Sequence, residues 1–183
     1  LAAVLPALFM LSTIAPARAS DPAVVFMDRV TKDLMAAVKT QSPATIAGVI
    51  QRYGDVPQIG LYALGDYRPK LEEPDKASYY AGMVKFISRY AAREAPKYPV
   101  ASVTFAPESR TAKYGLTVDS TVKLVDGSSY EVSWLLIKAG STYRVRDAQA
   151  AGFWMTPFLK RLFETYVAEN SGSVKSLVAV LNR

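Results

Sequence analysis

The sequence predicts an α+β domain: a four-stranded antiparallel sheet with N-terminal and C-terminal helices packed on one of its faces. Three observations predict it. Apolar residues recur at helical spacing as far as about residue 94, they alternate with polar ones from Val103 to Val145, and helical spacing returns after Pro157. Hairpin-linked strands between two helical stretches place the helices over one sheet rather than between parallel strands.

The helical starts share one device, a capping residue followed by proline. Asp21-Pro22 precedes Phe26, Val30, Leu34 and Val38; Ser42-Pro43 precedes Ile46, Val49, Ile50 and Tyr53; Thr156-Pro157 precedes Phe158, Leu162 and Tyr166. An Asp, Ser or Thr side chain accepts a bond from the free N–H groups of the first turn, and proline at the first helical position gives up no bond. Gly54 ends the second helix; Asp55 begins a short third one closed by Gly65, and 66–74 reads as a polar loop. The longest helix runs over about 75–94, with Tyr79, Met83, Phe86, Ile87 and Tyr90 along one stripe.

The period then changes to two. Val103 and Phe105 alternate with Ser102 and Thr104; Leu116, Val118, Val122 and Leu124 alternate with Thr117, Asp119, Thr121 and Lys123. Tyr130, Val132, Trp134 and Leu136 alternate with Glu131 and Ser133, and Tyr143 and Val145 with Arg144 and Arg146. Glycines in Val125–Ser129 and Lys138–Thr142 supply hairpin turns, giving four strands with one apolar face. Phe153, Trp154 and Met155 fall in the connection to the next helix, where bulky apolar side chains need a cover. Helices over 157–170 and about 173–182 complete the chain.

Residues 1–19 are apolar, uncharged until Arg18, and end in Ala17-Arg18-Ala19, the apolar core and small-residue cleavage site of a secretory signal peptide, truncated at its N-terminus. A membrane anchor is the alternative; Pro6, Pro16 and a length short of the roughly 20 residues a span needs count against it. Residues 20–183 then form a single domain with one core.

Cysteine and histidine are both absent. That removes thiol nucleophiles, Ser-His triads, imidazole and thiolate metal sites and haem attachment, so neither a metal nor a cofactor is expected. The formal charge of +6, one unit of it on Arg18, favours anionic surfaces. The basic residues are dispersed and form no nucleic-acid motif.

Candidate chemistry is sparse. Ser120 and Lys123 match S-x-x-K, but alternation as a strand sends residues three apart to opposite faces. Glu72, Glu73 and Asp75 precede a helix, where acids favour the dipole. Asp147 either satisfies N–H groups of the turn that follows or lines a site. Arg144 and Arg146 share an outward face, which is either solvated or a docking patch for an acidic partner or head group. No catalytic residue is assigned. An enzyme on this scaffold would need Asp147 or a tyrosine as its acid or base.

Three pieces together resemble the MlaC family, also called toluene-tolerance proteins. They are "YALGDYR" with Leu64, Gly65 and Tyr67; "KFISRY" with Phe86 and Tyr90; and "VRDAQAAG", from Val145 through Asp147 to Gly152, followed by a helix closing on "SLVAVL". Members often carry Glu before that glycine and smaller residues after it, where this chain has Ala151, Phe153 and Trp154. The resemblance implies helices over a strongly curved sheet, enclosing an apolar cavity for acyl chains with the head group at its mouth. The residues expected to line it are Met83, Phe86, Tyr90, Val118, Val132, Trp134, Val145, Phe153, Trp154, Phe158 and Leu162. It further implies a monomeric periplasmic phospholipid carrier that contacts membrane surfaces transiently. Its implied partners are an inner-membrane ABC lipid transporter complex and an outer-membrane lipoprotein complex. A hopanoid-like ligand is one alternative, and a partner-binding module with a solid core is another.

Overall fold

The structure, a computed structural model, describes residues 20–183. The signal peptide expected at 1–19 lies outside the described residues. Helix α1 (Pro22–Lys39) starts where the Asp21-Pro22 pair predicts: Asp21 Oδ1 accepts from the amides of Ala23 and Val24. Helix α2 (Pro43–Tyr53) is capped by Ser42, whose Oγ accepts from Thr45 N–H. Helix α3 (Val56–Ala63) follows after Gly54, and α4 (Lys76–Glu94) is the longest. Much of the expected polar loop between them winds into 3-10 turns at Gly65–Lys70 and Glu73–Asp75, and it buries Leu71. Glu73 and Glu72 there pair with Lys76 and Lys175 instead of capping α4.

The sheet has six strands, not four. To β1 (Val100–Phe105), β3 (Gly115–Leu124), β4 (Ser129–Ala139) and β5 (Thr142–Ala150) the fold adds short β2 (Arg110–Ala112) and β6 (Phe153–Trp154). The order is β1-β3-β4-β5-β6, all antiparallel, with β2 on β3. Both additions are too short to show a period. β6 corrects the expectation of a bare connection after β5. Ala151 (φ 50°) and Gly152 (φ 81°) are both left-handed, the backbone of a two-residue hairpin turn, so Phe153 pairs with Ala150 and Trp154 with Gln149.

Two irregularities shape the sheet. In β1 the register shifts between Val100 and Ser102. In β5, Val145 pairs with Leu136 and Asp147 with Leu135, leaving Arg146 as the extra residue of a bulge. The face shared by Val118, Leu136 and Val145 carries α1. The opposite face is polar, with Arg110 bridging to Asp119, Ser133 donating to Asp119, and Thr121 donating to Glu131.

Helix α5 (Met155–Glu169) begins one residue before Thr156, so Thr156 is not its cap. Asp147 serves instead, from the strand: Oδ1 accepts from the amides of Ala148 and Thr156, and Oδ2 from the Thr156 hydroxyl. Helix α6 (Val174–Leu181) is capped by Ser173.

The buried side chains divide into two clusters instead of one core. One joins α3 to α6: Ala63, Leu64, Tyr79, Met83, Leu159, Phe163, Val167, Leu177 and Leu181 among others. The second seals α1 onto the sheet through Ala23, Phe26, Met27, Val30, Val118 and Leu136. Helix α4 packs chiefly against α2, α3 and α6. Helix α1 lies against β1, β3 and β5, and the rest of the helical layer meets the sheet along β5 and β6, through α2, α3 and α5.

Candidate lipid-binding site

The split core separates the expected lining residues into three groups. Met83 and Phe86 belong to the helical cluster, Met83 fully buried and Phe86 half-buried with its ring 6.0 Å from that of Phe163. Val118, Trp134 and Val145 belong to the sheet cluster. Val118 is sealed beneath α1, so it faces packed side chains rather than open space. Tyr90, Val132, Phe153, Trp154, Phe158 and Leu162 belong to neither cluster.

Local register decides where several of these point. Val132 stands opposite Ser120 and Ala150, and Ala150 opposite Phe153, so these four share the helix-side face of the sheet. Trp154 stands opposite Gln149, on the face of Ser133 and Asp119. Trp134 is held on the helix side by a 3.0 Å bond from its Nε1 to Ser120 Oγ, which in turn donates to the Val132 carbonyl. Ser120 thus has a structural task, while Lys123 is exposed. Tyr90 is exposed, its ring beneath the Arg93 guanidinium at 5.4 Å.

Helix α5 carries two apolar faces. Leu159, Phe163 and Val167 are buried against the helical layer. Met155, Phe158 and Leu162, at 43%, 59% and 41% exposure, form a second stripe that nothing covers, and Phe153 beside them is 73% exposed. A cleft of about 420 Å³ opens there, lined by Gly152, Phe153, Trp154, Met155, Pro157, Phe158 and Arg161. That size falls within the range of small-molecule sites. Exposed apolar side chains this close together are the kind of surface that folded proteins use for interaction. Of the cleft residues, Pro157 was read only as a helix start and Arg161 was not singled out; the signal for Arg161 was helical spacing, three residues after Phe158.

Several polar groups outside the cleft lining are engaged with one another. The Asp147 carboxylate is taken up by three donors, the Ala148 amide in β5 and the Thr156 amide and hydroxyl at the start of α5. Lys160 bridges to Glu164 at 2.6 Å, and Glu164 also accepts from Asp66 N–H. Those two bonds hold the Glu164 carboxyl below its ordinary value. Burial pushes the Tyr79 hydroxyl well above the usual tyrosine range, and it donates to the Gly60 carbonyl at 2.8 Å. Arg144 donates to the carbonyls of Gln51 and Arg52 at the end of α2, and Arg146 binds Asp55. Both arginines expected to share an outward docking face therefore turn their guanidinium groups onto the α2–α3 corner, Arg144 from the regular ladder and Arg146 from the bulge. Among the described residues no group of His, Cys, Asp and Glu could hold a metal, and no helix is long and apolar enough to cross a membrane.

Comparisons with known proteins agree with this architecture. No curated protein matches the sequence. A solved structure of a phospholipid-binding protein from Ralstonia solanacearum, in complex with a phospholipid, superposes with a TM-score of 0.71 at 19% identity. The match covers 89% of this chain and 96% of that one. At that identity the likeness establishes the fold. The family description that matches residues 26–183 is "MlaC protein", and by that match over most of its length the chain belongs to the MlaC family.

Proposed function

We propose that residues 20–183 form one lipid-binding domain that carries a phospholipid with its acyl chains held against the uncovered apolar stripe of α5 and the helix-side face of β4–β6. The observation that carries this reading is the exposure of Phe153, Met155, Phe158 and Leu162 beside a core that is split in two. Two further facts support it: membership of the MlaC family, and a fold shared with a protein solved with a phospholipid bound. The physical demand on such a carrier is severe. Each methylene kept from water is stabilised by about 0.8 kcal/mol, so a lipid with two long chains crosses an aqueous space only when both are sheltered.

Membership of the family supports a wider setting for this reading. The carrier works in the periplasm, released from the leader at 1–19. It shuttles phospholipid between an inner-membrane ABC transport complex and an outer-membrane complex, as a binder and not a catalyst.

The test is mass spectrometry of lipid extracted from protein purified out of a bacterial host. Stoichiometric phospholipid is the expected result. Lipid-free protein that also takes up none from vesicles would overturn the proposal.

A further inference from the structure

Resting on the carrier reading, the geometry points to Arg161 as the residue that recognises the anionic phosphodiester of the ligand, so that the cleft selects phosphate-bearing amphiphiles over neutral ones with the same tails. Arg161 is the one charged side chain in the cleft lining, and no carboxylate belongs to it. Arg161 is exposed and has no hydrogen-bond or ion-pair partner among the described residues. The neighbouring cation on the same helix, Lys160, is neutralised by Glu164. The positive end of α5, which could otherwise receive an anion, is already filled by the chain's own Asp147. Among the side chains that line the cleft, an anionic group is therefore left with one unengaged cation, Arg161. A guanidinium is the side chain whose planar fork matches two phosphate oxygens. Arg161 lies one turn beyond Phe158 and adjoins Leu162, so a phosphate on Arg161 leaves its tails beside the apolar stripe.

The experiment measures uptake of two ligands with identical acyl chains, phosphatidylglycerol and diacylglycerol, from mixed vesicles into the purified protein. The proteins compared are the wild type, Arg161→Gln and Arg161→Lys, with a melting curve for each. The wild type is expected to favour phosphatidylglycerol by roughly fivefold, the scale of one charge-assisted pair at a partly exposed site. Arg161→Gln removes that preference, and Arg161→Lys retains part of it. A wild type that takes up both lipids equally, or an Arg161→Gln variant that keeps the preference, overturns the assignment and leaves the carrier reading standing. A wild type that takes up neither lipid overturns the carrier reading itself. Inorganic phosphate added at millimolar concentration is expected to leave phosphatidylglycerol uptake unaltered; displacement by it identifies a free-anion site and overturns the assignment to a lipid head group.

Discussion

Arg146 donates to one oxygen of Asp55 twice, from Nε at 3.0 Å and from Nη2 at 2.6 Å. The bulge in β5 makes this possible, because it takes Arg146 out of the ladder and frees its side chain for the start of α3. Beside it, Asp55 N–H donates to the Val145 carbonyl and Arg144 closes the end of α2. Strand β5 is thus clamped to the α2–α3 corner, one of the places where the helical layer meets the sheet. The pair is largely shielded from water, so removing one partner leaves the other charge poorly solvated. Arg146→Ala is expected to cost about 2 kcal/mol, seen as a lower urea midpoint. An unchanged midpoint would show that the clamp contributes nothing.

Val118 and Val132 separate a filled core from an open face. Val118 is sealed beneath α1, so Val118→Trp overpacks it and costs about 1–3 kcal/mol. Val132 belongs to neither cluster, and Val132→Trp is expected to keep the melting temperature while lowering co-purified lipid. Equal destabilisation by the two changes would mean that the space beside Val132 is also filled.

The stripe on α5 predicts the reverse of a core substitution. Phe158→Asp with Leu162→Asp, both at exposed positions, is expected to shift stability by no more than about 1 kcal/mol. Lipid content should fall severalfold, measured by extraction and mass spectrometry. Full lipid content in the double variant would remove α5 from the binding surface.

Gly65 sits where α3 and α5 close on each other. Its φ is +51°, and an added Cβ would lie 1.8 Å from Glu164 Oε1. Gly65→Ala is expected to destabilise by more than about 1 kcal/mol, the cost of the backbone conformation alone. Pairing it with Glu164→Ala should recover part of the loss, since the clash is with a side chain. A double-mutant cycle with no coupling would place the whole effect in the backbone.

Asp21 links acid stability to the first helix. Burial raises its pKa, but bonds from the Ser109 amide and hydroxyl and from the Ala23 and Val24 amides outweigh that and hold it below the ordinary value. A carboxyl lowered in the folded state stabilises fully above its unfolded value of about 4, and the contribution is lost as pH falls through the folded value. Asp21→Asn is therefore expected to cost about 1 kcal/mol near pH 7. The gap from wild type should shrink toward pH 3 in urea melts; a gap independent of pH would assign the cost to packing.

Much of the secondary structure was legible because its causes lie within a few residues of each other. Asp21 and Ser42 bond amides two or three positions on, and the alternation through β3 and β4 needs only a pleated strand with one wet face. The site was legible in composition more than in position. Phe153, Phe158 and Leu162 were recognisable as surplus apolar bulk, while the sealed state of Val118 and Met83 was not, since both carry the same periodic signal as an open lining residue.

What the sequence determined by itself was a helical layer, an antiparallel sheet and the absence of any thiol or imidazole chemistry. Tertiary structure alone decided that Arg146 leaves the ladder to bind Asp55, that Asp147 and not Thr156 caps α5, and that the core divides in two. The reason is physical: caps and periods are satisfied by neighbours along the chain. Which apolar faces meet, and which remain uncovered, depends on contacts between residues some ninety positions apart, as Arg146 and Asp55 are.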